Sequence, residues 1–248
     1  MSQLPLFPLN TVLFPRGPLP LRIFETRYVD MVKRCMREET CFGVVLVQGG
    51  SEVGQAPGFA DIGTSARIVD FNLLQDGLLG ITCRGERRFR VLRRWREADG
   101  LNIGEVEWLD APAARAVPVP AEYRHLADLL RRVLPELGDV YAGLEPRHDD
   151  ADWVGARLVE ILPLALGDKQ ALLELEEPLE RLALIAPLIR RADDAADLVV
   201  RGANNRATAP SRSAASTPAP ANRPHRRTAT AGSAQDCPRR AAWSRAAD

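Results

Sequence analysis

Residues 4–35 read LPLFPLNTVLFPRGPLPLRIFETRYVDMVKRC, and a change of period inside this stretch decides the fold class. Its first part is a series of short apolar runs punctuated by Pro5, Pro8, Pro15, Pro18 and Pro20. Proline has no backbone donor, so these positions suit strand starts, sheet edges and tight turns. The opening therefore reads as two short, irregular strands. Around Glu25 the pattern changes: Phe24, Tyr28, Met31, Val32 and Cys35 recur about every 3.6 residues, which places them on one helix face. A proline-punctuated sheet edge is expected to run straight into an amphipathic helix.

Downstream, residues 41–48, 62–72, 78–84, 87–95 and 101–109 read as strands, each bounded by Gly, Asp or Asn turn signals. In the fourth run Phe89, Val91 and Trp95 alternate with Arg88, Arg90, Arg94 and Arg96, the pattern of a sheet with one wet face. Gly63 is expected at a strand entry and Gly85 at a turn, positions where a side chain would not fit. At 111–120, APAARAVPVP separates this region from one with a helical period. There Tyr123, Leu126, Leu130, Val133 and Leu137 form one stripe, and Trp153, Val154, Leu158, Ile161 and Leu162 form another. Asp168 is placed to cap a helix over 169–175, and Pro178 suits the first turn of a last helix with Leu182, Ile185 and Ile189 inward. Pro187 should kink or end that helix. The expected class is α+β: a mostly antiparallel β-domain with one early helix at 1–112, then a helical lobe at 113–200.

Composition narrows the setting. The chain has 248 residues, 46% of them hydrophobic, enough to bury a core. No run approaches the roughly 20 apolar residues of a membrane span, and Pro5 and Pro8 interrupt any signal-like start, so a cytoplasmic protein is expected. Cys35, Cys41, Cys83 and Cys237 are too few and too irregularly spaced for a disulfide framework or a zinc site. The formal charge of zero hides an asymmetry: residues 1–200 hold 24 bases and 31 acids, residues 201–248 nine Arg and two Asp. That Ala/Pro/Arg-rich tail has almost no large apolar residue and is expected to be disordered. It would either hold nucleic acid or its own acidic body through charge contacts, or have no role.

The elements LPLFPL, VLFP, LPL, IFE and RY, followed by CFGVVLV at 41–47, DIGTSARIV at 61–69 and GERRFRV at 85–91, resemble the N-terminal domain of Lon proteases in its small stand-alone form. The helical stretch 162–191 continues the likeness, which spans roughly the first 190 residues. The resemblance implies a PUA-like β pseudo-barrel followed by a helical bundle. It also implies a substrate-recognition or adaptor role towards unfolded or degron-bearing polypeptides, or towards a specific protein partner. An apolar peptide would add to an edge strand or lie in a groove between the lobes. Leu13, Phe14, Leu19, Leu21 and Phe24 are the candidate contacts, with core packing as the competing reading for each.

Catalysis is not expected. The lysines, Lys33 and Lys169, do not follow glycine in a GxxxxGK pattern, so the phosphate-cradling loop of a full Lon enzyme is missing, and no protease domain is recognisable. His125, His148 and His225 have neither ligand nor triad spacing. His148 with Asp149, Asp150 and Asp152 reads as an acidic turn capping the next helix rather than a cation loop. No cofactor and no metal are expected. The alternative function is RNA binding by the PUA-like unit. Seven arginines lie between Arg84 and Arg96, with Arg88, Arg90 and Arg94 as candidate contacts. Glu97, Glu105 and Glu107 oppose it by pairing across the ladder. Glu25 and Arg27 in IFETRY read as a helix-start charge and its partner.

Overall fold

In the computed structural model, which describes residues 2–48, 58–109 and 116–191, the opening stretch forms β1 (Ser2–Leu9), β2 (Pro18–Ile23) and α1 (Thr26–Glu38). The basic tail at 201–248, Cys237, His225 and positions 111–115 of the expected linker lie outside the described residues. In α1, Tyr28, Met31, Val32 and Cys35 form the buried face as their spacing requires. Phe24 does not join them: it precedes the helix, ahead of the N-cap Glu25, and is 54% exposed. The helix ends on Glu39 in the left-handed region (φ 54°).

The strands that follow are β3 (Phe42–Gln48), β4 (Gly58–Phe59), β5 (Ile62–Leu73), β6 (Leu79–Arg96) and β7 (Asn102–Trp108). They are hydrogen-bonded in the order β1-β7-β6-β5-β3-β4, and β1 also pairs with β3. That extra pair, Leu6 to Leu9 against Gly43 to Leu46, is parallel and closes the antiparallel sheet into a ring. Large residues in the ring pair with glycines on the neighbouring strands. Leu6 is opposite Gly43, Leu4 opposite Gly104, and Phe89 opposite Gly63. A Cβ on Gly43 would come within 2.6 Å of the Phe89 ring, so substitution there would force the interior apart.

Two expected strands, 78–84 and 87–95, are one. β6 runs 18 residues: its first half lies between β2 and β5, and its second between β5 and β7. Gly85 sits in its middle, not at a turn. There the β1–β2 connection docks edge-on: Arg16 N–H donates to the Gly85 carbonyl (2.7 Å) and Gly85 N–H to the Gly17 carbonyl (2.9 Å). A Cβ on Gly85 would overlap the Phe14 carbonyl oxygen. The glycine marks close backbone approach inside a continuous strand.

The second region is helical: α2 (Arg124–Val133), α3 (Asp139–Ala142), α4 (Ala151–Ile161), α5 (Leu166–Glu174) and α6 (Pro178–Arg191), with 3₁₀ turns at Ala121–Tyr123 and Leu134–Leu137. α4 is the axis, buried along most of its length, and packs Leu126, Leu130 and Val133 of α2 and Leu182 and Ile185 of α6 around it. Val12, Phe14, Leu46 and Ala60 from the sheet side complete this core. Asp168 lies in the first turn of α5, whose N-cap is Ala165, rather than capping it. Its carboxylate still complements the helix dipole there. Nor does Pro187 end α6, which runs to Arg191. Pro187 and Ala183 both face solvent, so water can satisfy the carbonyl that proline leaves without a donor while Leu182, Ile185 and Ile189 stay inward. Among the described residues no helix is long and apolar enough to cross a membrane.

Candidate binding site

A cavity of about 880 Å³ opens where the ends of β1, β2 and β3 meet the start of α1 and the turn between β5 and β6. Its walls are apolar, built from Phe7, Leu9, Leu21, Ile23, Tyr28, Phe59, Leu74 and Leu78, with the exposed Phe24 at its border. The Phe7 and Tyr28 rings stack with centroids 3.9 Å apart, which fixes one wall. Burial raises the Tyr28 hydroxyl above its ordinary pKa, against the opposing pull of Arg27, so it stays neutral near pH 7.

The polar rim is held in place by its own neighbours. Arg27 pairs with Glu25 at 2.6 Å, donates to the Gly100 carbonyl at 3.0 Å and lies 4.7 Å from the Tyr28 ring centroid. Arg96 donates to the same carbonyl at 3.0 Å, and Arg22 pairs with Asp76 across the β2–β6 edge. Glu25 and Arg27 thus do the helix-start pairing expected of them and in addition line the cavity. The arrangement offers apolar contact inside and fixed hydrogen-bonding groups outside, the usual make-up of a ligand site.

Of the five residues proposed from sequence, the structure brings Leu21 and Phe24 to this cavity. Leu13 and Leu19 are buried in the core between α1 and the sheet, and Phe14 is fully buried among the helices. These three are occupied as packing and present no surface. Sequence reasoning missed Phe7, Tyr28, Phe59 and the β5–β6 turn leucines. The turn was signalled by Asp76-Gly77, but nothing local placed it beside the end of β1.

The arginines of β6 are structural. Arg88 donates to the carbonyls of Leu173 (2.9 Å) and Leu175 (2.6 Å), and Arg84 to that of Gly143 (2.9 Å), so both fasten the sheet to the helical lobe. Arg90 and Arg93 face Glu107 and Glu105 across the ladder, each at 3.8 Å. Arg87 stacks on Trp108 and Arg94 on Phe59. With Arg96 on Gly100, every arginine of the cluster has a protein partner. These contacts give the arginines partners within the chain, and the RNA alternative is not favoured.

A second polar cluster ties the lobes together at depth. Arg157 of α4 is fully buried, pairs with Glu160 at 2.6 Å and donates to the Pro15 carbonyl at 3.0 Å. Lys169 donates to the Glu160 carbonyl at 2.9 Å. Burial raises the Glu160 carboxyl while Arg157 and Lys169 pull it back, and burial lowers Lys169 against the pull of Glu160. Asp150 caps α4 by accepting from Asp152 N–H at 3.2 Å and pairs with Arg16 at 3.3 Å, the capping role expected of that acidic turn. Among the described residues no group of three His, Cys, Asp or Glu side chains could hold a metal ion.

A family model described as the ATP-dependent protease La (LON) substrate-binding domain matches residues 3–191. The chain belongs to this family. Lon protease 2 of Myxococcus xanthus is 29% identical over 195 residues, which are 76% of this chain and 23% of the relative. A Lon protease of Anaeromyxobacter dehalogenans is 29% identical over 197 residues, again 23% of its length. The chain therefore spans about a quarter of the length of these Lon relatives, in their substrate-binding region. Among solved structures, a Lon N-terminal domain protein from Xanthomonas campestris is 38% identical, with a TM-score of 0.61, covering 75% of this chain and 98% of that one. The N-terminal domain of a Mycobacterium avium complex Lon protease shares the fold at 18% identity and a TM-score of 0.50. The α+β class and the Lon N-terminal likeness read from the sequence both hold.

Proposed function

We propose that this chain is a non-catalytic polypeptide-binding module that takes an apolar segment of its client into the cavity around Leu21 and Phe24. The observation that carries the reading is an apolar cavity of about 880 Å³ with a half-exposed phenylalanine at its border, in a chain of the Lon substrate-binding family. Its clients would be unfolded or degron-bearing polypeptides or a specific protein partner, met as an adaptor in cytoplasmic protein quality control. Residues 1–112 form the binding unit on this reading, and 113–200 the helical lobe that braces it. No cofactor takes part.

The test is fluorescence anisotropy of the full chain with a labelled unfolded polypeptide and a labelled single-stranded RNA, over a salt series and with cleavage monitored. Saturable polypeptide binding that survives salt is expected, without turnover. Phe24→Ala removes exposed apolar surface, so it should weaken binding about tenfold or more while leaving the melting temperature almost unchanged. Cleavage of the polypeptide, or RNA binding that falls steeply with salt, would sink the reading.

A further inference from the structure

β5 has a single partner strand over its second half. It pairs with β3 only from Thr64 to Ala66, and among the described residues positions 67–73 are paired only with β6. Along this edge Val69, Phe71 and Leu73 are 40%, 51% and 76% exposed. A register shift between Ile68 and Asp70 takes Val69 out of the alternation, and from Asp70 onward the strand is regular, so Phe71 and Leu73 share one face in solvent with exposed Asp70 and Asn72 on the other. The Phe71 amide donates to the Asp70 carboxylate at 2.9 Å. A strand edge is a template for another backbone, and charged side chains and bulges are among the ways of keeping it from indiscriminate pairing.

The edge also adjoins the cavity, since Asn72 and Leu74 at its end line that space. We infer that a bound polypeptide runs along residues 70–73 as an added strand, and that its side chains alternate between apolar and basic. The inference rests on the polypeptide-binding reading above and specifies its mode. Only an extended backbone matches donors and acceptors at strand spacing. Phe71 and Leu73 supply cross-strand apolar partners on one face. Asp70 supplies the opposite charge to a Lys or Arg on the other. The incoming carbonyl takes the Phe71 amide, which releases Asp70 for that pairing.

The probe is a short labelled peptide alternating Leu and Lys, with a twin N-methylated at every second amide. The parent should bind the full chain and the twin about tenfold more weakly, because N-methylation removes ladder donors. A Phe71→Lys/Leu73→Lys variant, altered only at exposed positions, should lose a similar factor, with circular dichroism confirming its fold. Asp70→Lys should turn the preference towards a Leu/Glu peptide. If the twin binds as tightly as its parent, or if Phe24→Ala weakens binding while the edge variant does not, the added strand is wrong and the cavity reading stands. If the edge variant alters only self-association in sedimentation, the edge is a contact between copies and the inference falls. Failure of the unmodified chain to bind either peptide or unfolded polypeptide would remove both readings.

Discussion

Phe14 and Phe24 stand ten positions apart in the same proline-rich stretch, yet one is fully buried among helices and the other is 54% exposed. Their difference lies in what each backbone position faces, and composition does not report it. The same holds for His148. It makes an edge-on contact with the Trp153 ring, centroids 5.1 Å apart, and burial and Arg131 lower its pKa against the pull of Asp149. A histidine whose folded pKa is depressed is protonated first in the unfolded chain. Stability is then lost as pH falls below about 6.5 towards the folded value. His148→Gln should flatten the fall in urea-unfolding free energy between about pH 7 and 5.5. An unchanged slope would remove His148 from the acid response.

At the scale of elements, β6 is the strand on which the sheet depends, and Gly85 is what lets the β1–β2 connection lie against its middle. Gly85→Ala adds a methyl group into the Phe14 carbonyl and should cost about 1–3 kcal/mol, read from chemical denaturation. An effect below about 0.5 kcal/mol would mean that the connection can lift away at no consequence. β6 also shows why an alternating Arg pattern is an ambiguous sign. Arg88 and Arg90 share one face and the adjacent Arg87 lies on the other, and the partners of the cluster come from β7, the helical lobe and neighbouring aromatic rings. β5 is the complementary case, where the apolar residues alternate on a face without a partner strand.

Over the whole molecule, sheet and helices are joined by charged groups brought together from distant positions. Arg157 donates to the Pro15 carbonyl while pairing with Glu160, Arg88 reaches the end of α5, and the neutral amide of Gln170 adds a donor to the Ile62 carbonyl at 2.9 Å. Removing one partner of a buried pair strands the other, so Arg157→Met should destabilise the fold by about 3–5 kcal/mol. Arg157→Met/Glu160→Leu should recover part of that loss, because the stranded carboxylate is gone. A double variant no more stable than the single one would show that the Pro15 contact, not the ion pair, accounts for the cost.

Local period was enough to read α1, the helical stripes about Leu126 and Leu158, and the succession of strands by helices, because each depends on spacing along a few turns of chain. The Lon N-terminal likeness was also legible, through short motifs in order. The parallel β1–β3 pair that closes the ring was not, since it joins residues about 37 positions apart. Nor was the union of two expected strands into β6, where Gly85 sits within a strand for reasons that lie in Phe14. Cavity lining sorted Leu21 and Phe24 from Leu13, Phe14 and Leu19, with Phe24 alone exposed, and pairing engaged Arg88, Arg90 and Arg94. Sequence by itself determined which elements form, because their hydrogen bonds and apolar faces repeat locally. Only the tertiary structure decided which of their residues meet solvent, because that depends on contacts between segments far apart in the chain.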